Sequence, residues 1–374
     1  MNGSRRWEPC VYHRGLHADE FLREYLATDT RRVLLVAGAG FDPRSTRIID
    51  LIPAEARKHT QAILIREDRP NPEQALLDRA IQNRDALMTA FPGAQEHFIQ
   101  VFADDNAVIG GRGAATLMGS LSLDGVTDIF VDISALSIGI AFPIIKHFME
   151  TLAQTGQPLT NLHVLSCDSP PIDGTIRSRP SDRVAPILGF HGEWGLDAKS
   201  NAAILWMPQL SKEKGGVLKR IFQFLINDQP DTVVCPILPF PSSRPRLSDE
   251  LLEEYANELQ VEWSVDVRDL IYADEKSPMD LYRTILRIDD ARKRVFASVG
   301  GSQIVLSPIG SKALSLGALM AALERNFTIL HVESIGYTME DGHGPTPPGS
   351  EELVHIWLHG EAYGNGDAKE GTQK

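Results

Sequence analysis

Cysteine is scarce: the 374-residue chain has three, Cys10, Cys167 and Cys235, widely spaced and with no C-x-x-C pair. That excludes the disulfide framework of a small secreted domain. Cys167 and Cys235 sit on or just after apolar strands and are expected to be buried structural thiols. No apolar run approaches membrane-spanning length, and residues 1–30 lack the apolar core of a signal peptide, so the expected location is cytoplasmic. The 11 histidines show no H-x-x-x-H spacing on a helix. His355 and His359 are four apart, but the apolar run between them favours a strand, where they would not stack, so no zinc site is expected. There is no G-x-S-x-G elbow, which argues against hydrolase chemistry of that kind. Heptads and low-complexity tracts are also missing. Basic residues are in deficit, 37 against 50 acidic, for a net charge of −13. An acidic chain is a poor general binder of duplex nucleic acid, though a local basic pocket can still hold a small anion.

What is present is a repeat. With 43% hydrophobic and 23% charged residues the chain is ordinary globular material, long enough for two domains. An apolar strand from Arg31 ends in the turn Gly38-Ala39-Gly40. It is followed by strands at Gln61 to Ile65, Ile129 to Ser134 and Leu162 to Ser166. The same order recurs at Ala203 to Met207, Thr232 to Pro236, Gln303 to Ser307 and Phe327 to Val332, with a helix from Ala313 to Leu323. These strands are continuous apolar runs, the pattern of parallel strands covered on both faces. The expected fold is α/β: two tandem Rossmann-like units with mainly parallel sheets, related by pseudo-two-fold symmetry and sharing a cleft. The expected divisions are residues 1–30 as an N-terminal extension, 31–169 as the first unit, 170–184 as a linker and 185–341 as the second unit. Residues 342–374 are expected to form a C-terminal strand and a disordered tail. Tyr255, Trp263 and Tyr272 read as packing residues.

Three turns could carry chemistry. The first is Gly38-Ala39-Gly40-Phe41-Asp42-Pro43-Arg44, where glycines permit close backbone approach to a ligand and Arg44 offers a charge-assisted bond to phosphate. The competing reading pairs Arg44 with Asp42 or Asp50. The second is Asp132-Ile133-Ser134-Ala135-Leu136-Ser137, at the carboxyl end of a strand, where ligands of open α/β sheets bind. There, Asp132 suits a ribose hydroxyl or an exocyclic amine. Ser134 and Ser137 are equally well read as helix caps. The third is Pro308-Ile309-Gly310-Ser311-Lys312, which gathers oriented amides, a helix dipole and an ammonium in one place.

These stretches resemble a known family. Ser307 to Ala318 is similar to the glycine-threonine-lysine segment of CARF domains, with Pro308 departing from the usual threonine or glycine. Asp132 to Ser137 with Phe142-Pro143 is similar to the alternative form of that segment. Two CARF-like units in one chain resemble the SAVED sensors of bacterial antiphage signalling. The resemblance implies a small anionic nucleotide-like ligand, such as a cyclic oligonucleotide, touched by Gly38, Gly40, Phe41, Asp42, Arg44, Asp132, Ser134, Ser137, Pro308, Gly310, Ser311 and Lys312. It also implies a protein partner carrying an effector activity, since both units together leave no effector module. A second resemblance competes. Val36 to Arg47 is similar to the glycine-aspartate-arginine segment of leucine carboxyl methyltransferases, implying S-adenosylmethionine at Gly38 and Gly40 with Glu67 or Asp68 on its ribose. A non-catalytic interaction scaffold is the third alternative.

Overall fold

The computed structural model describes residues 5–28, 30–155, 160–192, 202–340 and 351–363. Along the chain run β1 (Tyr12–Arg14), α1 (Leu16–Leu26), β2 (Val33–Gly38), α2 (Ile48–Leu51), α3 (Ala54–Arg57), β3 (Gln61–Asp68), α4 (Gln74–Ala90) and β4 (Gln95–Gln100). Then come α5 (Gly110–Gly119), β5 (Asp128–Asp132), α6 (Ile138–Thr155), β6 (Asn161–Asp168), α7 (Pro170–Asp173), β7 (Ile176–Pro180), β8 (Ala185–Pro186), β9 (Ala203–Pro208) and α8 (Gly215–Asp228). After β10 (Val233–Val234) follow β11 (Ile237–Pro239), α9 (Leu247–Glu254), β12 (Ile271–Ala273), α10 (Pro278–Phe296), β13 (Ser302–Ser307) and α11 (Lys312–Arg325). The last strands are β14 (Thr328–His331), β15 (Ser334–Met339) and β16 (Glu352–His359).

The chain is α/β and divides into two compact units, Met1–Arg179 with Ile335–Lys374, and Pro180–Ser334. The first holds a seven-stranded sheet in the order β1-β16-β6-β5-β2-β3-β4. From β6 to β4 neighbouring strands are parallel, and β16 and β1 are added antiparallel beyond β6. Every residue of β2 is buried. Val33, Leu35 and Ala37 pack with Ala18, Leu22 and Leu26 of α1 and with Leu87 and Phe91 at the end of α4. Alternation along a strand sends Leu34 and Val36 to the opposite face, where they are equally buried. That double burial is why the strand reads as an unbroken apolar run.

In the second unit the five-stranded sheet has the order β10-β9-β13-β14-β8. β10, β9, β13 and β14 are parallel, and β8 runs antiparallel to β14. Beyond β10 the chain moves to β11, which bridges Gln209 just past β9 and pairs in parallel with β12. Ile204 and Trp206 of β9 pack on Leu218, Ile221 and Leu225 of α8 and on Tyr255 and Trp263. Counted along the chain, the parallel strands of the first unit lie in the order third, second, first, fourth, fifth; the five-stranded sheet of the second unit has four parallel strands, in the order second, first, third, fourth, and β11 with β12 forms a separate two-stranded sheet. In each unit an antiparallel strand is added beside the last parallel strand.

Neither β4, which is mostly polar, nor β12, which has only three residues, was legible as a strand. Both are edge strands, with residues left partly exposed, so burial did not mark their sequences. The divisions also differ from those expected. β1 and α1 are built into the first unit, because β1 pairs with β16 and the apolar stripe of α1 enters the core. The stretch expected to be a linker forms α7 and β7, and β7 pairs with β15. Residues 352–359 return to the first unit: β16 lies between β1 and β6 with Leu353 to Leu358 buried, covering what would otherwise be the open edge of β6. Residues 364–374, expected to be a disordered tail, lie outside the described residues. Cys167 is buried, but Cys235 is only partly so. Tyr255 and Trp263 are core residues, whereas Tyr272 on β12 is 47% exposed.

Gly360, just past β16, has φ +119°, and a Cβ there would come within 2.8 Å of the Asn161 Cα. Only glycine tolerates both the conformation and the contact. Gly360→Ala is expected to lower stability by more than about 1 kcal/mol in urea unfolding followed by circular dichroism.

Candidate functional site

Strand order reverses beside the first strand of each unit, between β2 and β5 and between β9 and β13. In open parallel sheets the crevice at the carboxyl ends of such strands is where ligands bind. The three turns singled out in the sequence all lie there, and the structure shows what each side chain does.

In the first unit, Gly38 ends β2 against the backbone of Ala135, and a Cβ on it would stand 2.8 Å from the Ala135 carbonyl oxygen. The glycine therefore permits close strand-to-loop packing. Gly40 is more open, its nearest neighbour being the same oxygen at 4.0 Å. Asn83 of α4 holds the loop by donating Nδ2 to the carbonyls of Gly40 at 2.9 Å and Asp42 at 3.1 Å. Phe41 leans on Tyr337, with ring centres 5.4 Å apart. Asp42 caps the turn Pro43–Thr46 by accepting from the Arg44 amide at 3.0 Å. Arg44 is 3% exposed and donates Nη2 to Asp42 Oδ2 at 2.7 Å and Nη1 to Asp173 Oδ1 at 2.8 Å. Burial works against its charge, but the carboxylates of Asp42 and Asp173 outweigh that and push its pKa above the ordinary arginine range. The pairing of Arg44 with Asp42 is thus the role the geometry gives it. Asp173, from the stretch expected to be a linker, could not be found from sequence because it meets Arg44 only in the fold.

Asp132 and Ser134 are also interior, 4% and 1% exposed. Asp132 Oδ1 accepts from the Ser134 amide at 2.9 Å, and Ser134 Oγ accepts from the Cys167 amide at 2.8 Å. The pair ties the end of β5 to β6. Burial, then the nearby Glu351 and Asp132 charges, push the Cys167 thiol up out of the reactive range. Ser137 stands at the start of α6. Its carbonyl accepts from Ile140 and Ala141, but its own Oγ makes no hydrogen bond. The side-chain acceptor at this helix start comes instead from Glu67 of β3, whose Oε1 takes the Ser137 amide at 2.7 Å. Glu67 Oε2 accepts from Arg69 at 2.6 Å, and the Arg69 guanidinium lies 5.1 Å from the ring centre of Tyr337. A carboxylate already sits where a phosphate would seek the helix dipole.

The second unit differs. Ser307 at the end of β13 accepts from the Trp206 indole at 3.0 Å. Gly310 gives its amide to Gln209 Oε1 at 3.2 Å, and Gln209 Nε2 donates to the Leu314 carbonyl at 3.1 Å. A Cβ on Gly310 would reach Gln209 Oε1 at 2.8 Å, so this glycine makes room for the glutamine. The Pro308 carbonyl lies 3.5 Å from Ser315 Oγ. Ser311 is the N-cap of α11, accepting from the Leu314 amide at 3.3 Å while donating to the Glu275 carbonyl at 3.1 Å. Lys312, partly exposed, is the first residue of this 14-residue helix. A cation there opposes the dipole.

Among the described residues no group of three or more His, Cys, Asp or Glu could hold a metal ion. A cavity of about 650 Å³ lies elsewhere on the first unit, lined by Ile49, Ala54, Arg57, Lys58 and Thr89. Compared with known proteins, the chain matches no family model and no curated protein. No helix among the described residues is long and apolar enough to cross a membrane.

Arg44→Met would leave the Asp42 carboxylate buried and unpaired. The expected loss is about 3–5 kcal/mol in chemical unfolding, the usual result of breaking a buried ion pair from one side.

Proposed function

We propose that the chain is a nucleotide sensor of the CARF and SAVED kind: two Rossmann-like units descended from one, with a small anionic ligand, a cyclic oligonucleotide, held at the start of α11. The reading is carried by one observation: Gly310, the N-cap Ser311 and the first helical residue Lys312 sit together between the carboxyl end of β13 and α11. Helix amides and a lysine together suit a phosphate, and Ser311 already fixes the turn that would receive it. The shared run of parallel strands about the first strand of each unit, β5-β2-β3 and β13-β9-β10, supports a duplication. The first unit then serves mainly as structure at its equivalent turn, with Arg44 held by Asp42 and Asp173 and the start of α6 served by Glu67. Signal output passes to a separate protein carrying the effector activity. The methyltransferase alternative needs an acid for the ribose, and both oxygens of Glu67 are engaged, leaving Asp68 for that role.

A second reading, the interaction scaffold, is favoured by the close contacts at Gly38 and Gly310, where Ala135 and Gln209 fill the space beside the turn. Calorimetry separates the readings. At least one cyclic di-, tri- or tetranucleotide is expected to bind, S-adenosylmethionine is not, and the scaffold reading predicts no binder in either set. Lys312→Ala is expected to weaken binding by about 1–3 kcal/mol with little change in melting temperature. Unchanged binding with a lower melting temperature would make Lys312 a structural residue.

A further inference from the structure

At the other end of the first unit's sheet, toward the amino-terminal ends of β5 and β6, three imidazoles stand in line. His13 on β1 pairs in register with His355 on β16, and Trp357, two residues on, pairs with His163 on β6. The Nδ1 atoms of His13 and His355 are 3.0 Å apart, and His355 Nε2 is 2.9 Å from His163 Nδ1. His163 Nε2 faces Asp128 Oδ1 at 3.5 Å. His163, His355 and the Asp128 side chain are fully buried, whereas His13 is partly exposed. Aromatic rings fix the imidazole planes: Phe21 stacks on His13 at 4.1 Å and Phe130 on His163 at 4.4 Å. The other charged or titratable groups facing the row are Tyr25 and His17 from α1, Arg31 from the following loop and Glu361 beyond β16. Tyr25 donates to Asp128 Oδ1 at 2.6 Å, and Arg31 lies 3.5 Å from that oxygen and 3.2 Å from both Glu361 oxygens.

The carboxylate orders the row. An anion opposite His163 Nε2 favours a proton on that nitrogen, which leaves Nδ1 to accept. His355 must then carry its proton on Nε2, and His13 on Nδ1, so the outer Nε2 of His13 is the row's free lone pair. We propose that His13, His355 and His163 form a relay that takes up one proton at the sheet edge and delivers it beside Asp128, making this corner an acid sensor for the seating of β1. A proton binds His13 Nε2. The His13 Nδ1–H bond breaks as His355 Nδ1–H forms, and His355 Nε2–H breaks as His163 Nδ1–H forms. The charge ends as a His163 imidazolium against the Asp128 carboxylate, with both imidazole–imidazole hydrogen bonds kept and their directions reversed. A second proton finds no lone pair in the row that is not already accepting a hydrogen bond. It would set two N–H groups against each other and push β1, whose three residues pair only with β16, off the sheet.

The electrostatics agree with this arrangement. Burial, then the other two imidazoles, hold His355 well below 6.5. Burial lowers His163 despite Asp128, and burial with His17 lowers His13. Burial opposes the Asp128 charge too, but its contacts with His163, Thr127 and Tyr25 and the Arg31 charge bring it down to about 2. Histidines with folded pKa values below 6.5 leave the unfolded chain the better proton binder, so their contribution is full above that pH and is lost as pH falls through it.

The test is a long-range proton–nitrogen correlation spectrum of imidazole nitrogens in the ¹⁵N-labelled full chain, titrated downward from a mildly alkaline start. The expected starting pattern is Nε2–H at His163 and His355 and Nδ1–H at His13, the last being the tautomer a free histidine disfavours. On acidification all three rings should change at one shared midpoint, with uptake of one proton. In His13→Gln, which removes the entry point, the two buried rings should keep their starting pattern to lower pH. Separate midpoints, an Nε2–H tautomer at His13, or unchanged uptake by the buried rings in His13→Gln would each overturn the relay.

Discussion

A parallel strand cannot be joined to its neighbour by a tight turn, so each of β2, β3, β5 and β6 must be reached by a crossover that carries helix or long loop over a face of the sheet. Covering both faces buries the strands completely, as the zero exposure of Leu34, Val36 and Trp206 shows. That one requirement also sets where function can reside. With both faces covered, the strand ends are what remain open, and the carboxyl ends collect the turns at Gly38, Asp132 and Gly310.

Burial has a second consequence, which decides between competing readings of the same residues. A charge taken out of water must be paired, or it neutralises. Arg44, Asp42, Asp132 and Asp128 are all interior and all partnered, Asp42 and Asp132 by groups two residues on, Arg44 and Asp128 also by groups from distant parts of the chain. At the carboxyl ends this turns Arg44 and Asp132 into struts. At the opposite end it gathers Tyr25, Arg31, Asn161 and His163 around one carboxylate and so ties α1 and the loop after it to β5 and β6.

Gln209 and Glu67 show a related economy of polar groups. Each extends from the end of a strand to satisfy a backbone amide before a helix that follows another strand of its sheet, Gln209 at Gly310 after the neighbouring β13 and Glu67 at Ser137 after β5, two strands away. One is neutral and the other anionic. That difference leaves the α11 start the more attractive to an anion, even though the sequences of the two turns made Arg44 and Lys312 look alike.

The α/β class and the parallel character of the strands were legible because they follow from hydrophobic pattern, which every central strand must carry. The edge strands β4 and β12 were not, since partial exposure relaxes that pattern. Likewise the return of β16 to the first unit, the Arg44–Asp173 pair and the row His13–His355–His163 depend on residues up to 342 positions apart. Local sequence can specify whether a segment is a strand and which residue types stand at its end. Which distant side chain neutralises a buried charge is decided only when strand order brings the two together, because the Coulomb and hydrogen-bond energies that choose the partner act over a few ångströms of space.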